Sequence, residues 1–217
     1  KWDMGWMNDT LNYFRTAPEY RSANYHKLTF SMMYYYNEAY ILPLSHDEVV
    51  HGKATIIQKM SGDYEEKFPQ ARAMYMYMYA HPGKKLNFMG NEIAQFREWD
   101  EKRQQDWEIL KFPKHREFHH FMMELNNVYE AHPALWEADY AQDGFRRIVA
   151  VFHFGNTGEQ EYTMKIPDAK KLKLIYSSDD TEMKKGHPEY QKDLTVEKGQ
   201  ISMLLPAYSA RFYQVEK

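Results

Sequence analysis

Ala39-Tyr40-Ile41-Leu42-Pro43-Leu44-Ser45-His46-Asp47-Glu48-Val49-Val50-His51-Gly52-Lys53 decides the fold of this chain. The run Ala39 to Leu44 is short and apolar, and it stops at polar Ser45-His46-Asp47-Glu48. That pattern predicts a buried strand with polar groups at its C-terminal end. Pro43 cannot donate to a ladder, so it is expected where the ladder loosens. Lys85-Leu86-Asn87-Phe88-Met89 predicts a second strand, again followed by a polar turn, Gly90-Asn91-Glu92. Between the two runs lies Tyr64 to Ala80, in which Met74-Tyr75-Met76-Tyr77-Met78-Tyr79 alternates as a strand would. Its length, its scarcity of β-branched residues and the stop at His81-Pro82-Gly83 predict a helix instead, buried on most sides. A buried helix joining two buried strands is a βαβ unit, hence a parallel sheet.

Further out, His115 to Glu130 predicts another helix. Phe118, Phe121, Met122, Leu125 and Tyr129 recur at helical spacing, and His132-Pro133 stops it. After residue 138 the texture changes. Arg147 to Phe154 is a β run closed by Gly155-Asn156-Thr157-Gly158, and Glu161–Ile166, Lys171–Tyr176, Gln200–Leu205 and Ser209–Val215 are short runs bounded by turns. They predict a small antiparallel sandwich. The polar stretch Ser177 to Gln191 is expected to be a loop. Two domains follow, residues 1–138 and residues 139–217.

Composition narrows the function classes. The 217 residues carry 28 basic and 31 acidic side chains, a net charge of −3. Such balance argues against binding nucleic acid, and Lys84-Lys85 and Lys170-Lys171 are pairs too small to form a phosphate-binding patch. There is no cysteine, which excludes disulfides, thiol catalysis and cysteine-ligated zinc and fits a cytoplasmic protein. No apolar run is long enough to span a membrane. Lys1-Trp2-Asp3-Met4 is not the start of a signal peptide, and a piece of a longer protein is expected. Aromatic residues reach 16%; flat rings pack cores, the commoner explanation, and also line sites that stack on sugars.

Chemistry concentrates past the two strands. In a parallel sheet, functional groups sit at strand C-terminal ends, so His46, Asp47, Glu48, His51 and Lys53 form one candidate cluster. Asp47 and Glu48, as neighbours in extended chain, are expected to point apart rather than act as an acid/base pair. Glu92 and Trp99, in the loop after the second strand, are placed to meet a polar ligand. His115 and His119 have metal-like spacing, but the glutamate between them is not where zinc peptidases place it and no third ligand is evident, so exposed helical histidines are expected.

The sequence SHDEVVHGK, with KKLNFMGNEIAQFREW, the opening KWDMGWMNDTLNYF and the closing LLPAYSARFY, resembles the C-terminal part of the glycogen branching enzymes, within the α-amylase superfamily of glycoside hydrolases. The resemblance implies the end of a (β/α)8 barrel followed by an antiparallel β-sandwich. Residues 39–45 are then strand seven, Lys85–Met89 strand eight, and the chain starts near strand six. It implies retaining glycoside transfer, in which a chain cut at an α-1,4 link is passed to a 6-hydroxyl. The nucleophile and general acid lie on earlier strands outside this sequence. Asp47 is implied as the remaining catalytic carboxylate, stabilising the transition state, with His46 beside it. Substrate binding is assigned to His46, Asp47, Glu48, Glu92 and Trp99, with an α-glucan and the rest of the barrel as partners. No metal or organic cofactor is needed by this chemistry.

Three readings follow. The first is part of a branching enzyme, inert alone and expected to associate through unpaired strand edges. The second is a complete small enzyme using Asp47 and Glu92 as its carboxylate pair. The third is a non-catalytic glucan-binding or interaction module built mainly by the β domain.

Overall fold

A computed structural model describes residues 1–137, 147–179 and 192–217. The chain opens with helix α1, Met4–Arg15, which the sequence reading had not singled out. Asp3 caps it by accepting the Trp6 N–H at 2.8 Å, and Trp6, Met7, Leu11 and Phe14 form its buried face. Short turns and the four-residue helix α2, His26–Thr29, lead to strand β1, Ile41–Leu44. Helix α3, Tyr64–Ala80, returns the chain to strand β2, Lys84–Asn87. Both strands are shorter than the apolar runs that predict them.

β1 and β2 pair in parallel, Ile41 opposite Lys84 and Leu44 opposite Asn87. On its other side Ile41 bridges Trp2, also in parallel. Ile41 donates to the Lys1 carbonyl and accepts from Asp3, both at 2.8 Å. Alternate residues of a strand face the same neighbour, so the nitrogen of Pro43 points to this side. There the chain beyond Asp3 has already become α1, and no ladder bond is lost. On the β2 side the register runs unbroken through Pro43, paired with Leu86.

α3 begins with a reciprocal capping box. The Glu66 N–H donates to Asp63 and the Asp63 N–H donates back to Glu66, at 3.1 and 3.2 Å. Every residue from Gln70 to Tyr79 is buried, so the Met/Tyr alternation belongs to a helix packed on all sides. Trp6 of α1 stacks on Tyr77, with ring centroids 6.2 Å apart. Helix α4, Pro113–Ala131, presses Phe118 against Tyr75 from another side.

The remaining strands are β3, Ile148–His153; β4, Gln160–Lys165; β5, Lys171–Ser177; β6, Leu194–Thr195; β7, Gln200–Leu205; and β8, Ser209–Glu216. They form one sheet in the order β3-β8-β5-β6 and a second from β4 and β7, all antiparallel. β6 was not foreseen. The boundary expected at residue 138 and most of the expected loop, residues 180–191, lie outside the described residues.

β8 joins the two parts. Its Tyr213 belongs to the core between the sheets, while Ala210 and Phe212 belong to the core around α3. This is the period-two alternation of a strand buried on both faces. Two buried arginines tighten the joint. Arg21 donates to the carbonyl of Phe154 at 2.7 Å, and Arg72 to that of Ser178 at 2.8 Å.

Candidate functional site

The polar residues after β1 leave the strand in a single helical turn, His46–Glu48. The turn rotates successive side chains apart. His46 and Asp47 reach solvent with side chains 47% and 55% exposed, while Glu48 turns inward to Lys53 at 3.4 Å. Asp47 and Glu48 therefore diverge as expected, although through a turn rather than an extended strand. The His46 Nε2 lies 3.2 Å from the Asp47 Oδ1. The imidazole is held by rings of the second loop: Phe88 at 5.7 Å and Trp99, edge-on, at 6.2 Å.

His46 and Asp47 open into a cleft of about 420 Å³ whose walls include Val50, His51, Arg97, Glu98 and Trp99. Asp100, Glu101 and Arg103 complete its rim. The two expected loops thus meet, and Trp99, Asp47 and His46 share one surface. The Trp99 backbone is anchored by its amide N–H, which donates to the Val49 carbonyl at 2.9 Å. Glu48 and Glu92 lie off this surface. Glu92 instead accepts the Gly90 N–H at 2.7 Å within its own turn. That contact does not present it to Asp47 as a partner carboxylate.

Two charged groups here escaped the sequence reading. Glu98 accepts the N–H groups of Gly52 and Ala54 at 2.9 and 2.8 Å, and these bonds hold its carboxyl below the ordinary range. Lys59, almost fully buried, donates to the carbonyls of Glu48 and Ala54. Burial pushes its ammonium down to about 8. A surface-type lysine amid Thr55-Ile56-Ile57-Gln58 gives no local signal. Arg97 is clamped by Asp106, with Nε 3.1 Å from both carboxylate oxygens.

The histidine pair needs a correction. His119 is partly buried, and His115 is buried rather than exposed, its Nδ1–H donating to the Ile93 carbonyl at 3.0 Å. Phe68, at 5.0 Å between ring centres, and Phe96 surround it, and burial lowers its pKa. Among the described residues, no three His, Asp or Glu side chains are placed to hold a metal ion. None of the described helices is long and apolar enough to cross a membrane.

Residues 139–216 match the family described as the alpha amylase C-terminal all-beta domain. The chain is 45% identical over 197 residues to the 1,4-alpha-glucan branching enzyme GlgB of Bacillus cytotoxicus, covering 88% of this chain and 30% of that protein. It is 55% identical over 151 residues to GlgB 1 of Clostridium perfringens, covering 69% and 22%. The GlgB of Aquifex aeolicus is 47% identical over 175 residues, covering 81% and 28%. The chain thus spans less than a third of the length of these relatives. Its fold matches an alpha-amylase of Anoxybacillus at a TM-score of 0.64, with 14% identity over 98% of this chain and 46% of that one. It also matches AmyP, solved in complex with maltose, at 0.65, with 13% identity over 100% and 50%. The architecture is the closing part of a (β/α)8 barrel, about strands six to eight, followed by an antiparallel β-sandwich.

Proposed function

We propose that this chain, which belongs to the 1,4-alpha-glucan branching enzymes of the alpha-amylase superfamily, supplies the transition-state clamp of a retaining chain-transfer site. The full-length protein cuts an α-1,4 link and passes the freed chain to a glucan 6-hydroxyl. Its nucleophile and general acid come from residues outside this sequence, on the rest of the barrel. Residues 1–138 are the barrel part and 139–217 the β domain.

One observation carries the reading: the Asp47 carboxylate and the His46 ring stand exposed at the C-terminal end of a buried parallel strand, in a cleft walled by Trp99. The transition state of glycoside transfer is oxocarbenium-like, and the ring flattens as positive charge develops. The Asp47 carboxylate, gripping the vicinal hydroxyls, binds the flattened ring better than the relaxed one and favours the charge that appears only there. His46 donates to a neighbouring hydroxyl, held at its angle by Phe88 and Trp99. Trp99 offers the sugar an apolar ring. Glu48, turned to Lys53, and Glu92, accepting the Gly90 N–H, lie off the cleft surface and take no direct part in this reading.

The test is Asp47→Asn in the full-length protein, assayed by loss of iodine colour from amylose. The side chain keeps its size and loses its charge, and the rate should fall by at least about 10²-fold. Branching at the unmodified rate would overturn the proposal.

A further inference from the structure

The cleft wall beside Asp47 is built in an unfavourable conformation. His51, Gly52 and Ala54 have φ of 59°, 78° and 65°, so two residues bearing a β-carbon sit in the left-handed region around one glycine. Such backbone persists only where its surroundings over-determine it, and it clusters at functional sites. The surroundings here are two charges. From above, both oxygens of Glu98 are used, one on the Gly52 N–H at 2.9 Å and the other on the Ala54 N–H at 2.8 Å. From below, the Lys59 ammonium binds the Ala54 carbonyl at 2.7 Å and that of Glu48. Ala54 is thus held at both its amide and its carbonyl. Glu98 cannot drift, because its neighbour Trp99 is hydrogen-bonded to Val49 in the stem of the same loop.

We propose that Glu98 and Lys59 are positioning residues that hold the strained turn His51–Ala54, so that His51 forms a wall of the cleft and contributes to holding a glucan chain across it. This rests on the cleft being the glucan site of the preceding section. His51 is exposed, lines the cleft and follows Asp47 by four residues. No hydrogen bond of its ring fixes it among the described contacts, so its place depends on its backbone. Glu98 also lines the cleft, but its carboxylate is occupied by the two amides and acts through the turn.

The experiment is a double-mutant cycle in the full-length protein, with kcat and KM measured on amylose. Glu98→Gln retains one acceptor oxygen and turns an NH2 group toward an amide donor, so the turn relaxes. KM should rise about tenfold with kcat within about threefold, since a displaced wall weakens binding without removing a reacting group. His51→Ala should raise KM by a similar factor. If Glu98 acts through His51, the double variant is no worse than the poorer single one. Gly52→Ala offers an independent route, since nothing lies within 4 Å of the added β-carbon and only the positive φ resists it. It should shift KM in the same direction while Glu98 is intact. Multiplying effects in the double variant would overturn the inference, as would a fall in kcat and thermal midpoint at unchanged KM. Asp47→Asn, run alongside, separates the two ideas: an unaffected rate there removes the glucan site itself, whereas a collapsed rate with an unaffected Glu98→Gln removes only the positioning role.

Discussion

The barrel part and the β domain solve the same burial problem differently. In the β domain, antiparallel strands cover a compact core of Val151, Leu172, Ile201, Met203, Leu205 and Tyr213, and only Tyr162 and Leu204 are large exposed apolar residues among those described. The barrel part buries residues 70–79 of α3 on all sides yet leaves Tyr20, Tyr25, Phe30 and Met33 more than half exposed. Its sheet has two strands and one bridge, so β2 has a single ladder partner among the described residues. An open parallel sheet with bare rings invites association, whereas the sandwich has little to offer a neighbour. The joint between the parts matches neither style. It depends on β8, which is buried on both faces, and on buried guanidinium groups bonded to carbonyls.

The joint gives the largest expected effect. Arg21 is 2% exposed and donates to the carbonyls of Phe14, Thr16 and Phe154 and to Gln70. It also lies over the Phe14 ring, 5.3 Å from the centroid. Arg21→Met keeps most of the volume and strands several buried acceptors, which should cost about 3–5 kcal/mol. Hydrogen-exchange mass spectrometry on peptides from α1 and β8 checks both size and place. Equal protection of the two peptides in the native chain should give way to earlier opening at α1. Equal losses at both would mean that the regions open as one unit and the contrast drawn between them is false.

Much of this was legible in the sequence. The βαβ unit was, because apolar runs, a helix stop and polar strand ends all agreed. The β strands were, because turns bound them closely. α1 was missed although Asp3 stands three residues before Trp6 in a capping position, since no flanking strand called attention to it. Arg21 and Lys59 were not legible for a stronger reason: such residues are almost never fully buried unless partnered, and their partners are carbonyls set by the fold. His115 was misjudged alike, because the rings that enclose it come from Tyr64, Phe68 and Phe96, far along the chain. Glu98 reaches its amides across 46 and 44 residues, a pairing no local pattern announces.

A smaller effect follows from Lys59. Its ammonium ionises at about 8 in the folded chain, against 10.5 ordinarily, because burial outweighs the attraction of Glu48. Between these values the unfolded chain holds the extra proton, so stability rises with pH. Above about 10 the sign reverses, since buried Tyr75 and Tyr77 keep protons that the unfolded chain loses. Urea midpoints should therefore climb between about pH 8 and about pH 9.5, and the climb should shrink sharply in Lys59→Met, leaving only the smaller contribution of Lys67, which burial also lowers. A climb undiminished by the substitution would place its source elsewhere.

The smallest expected effect lies in the β domain and tests whether its closed character is real. Leu204 and Leu205 are adjacent on β7, yet Leu204 is 40% exposed and Leu205 only 4%. Successive strand residues face opposite ways, and Leu205 joins the inter-sheet core while Leu204 looks out beside Glu161. Leu204→Ser should move stability by no more than about 0.5 kcal/mol. The control, Leu205→Ala, should cost about 2–5 kcal/mol, because it removes buried methyl groups and leaves a void. Urea denaturation of the two variants decides the matter. A comparable loss in both would mean that the outer face of β7 is also covered, and the β domain would then share the incompleteness of the barrel part.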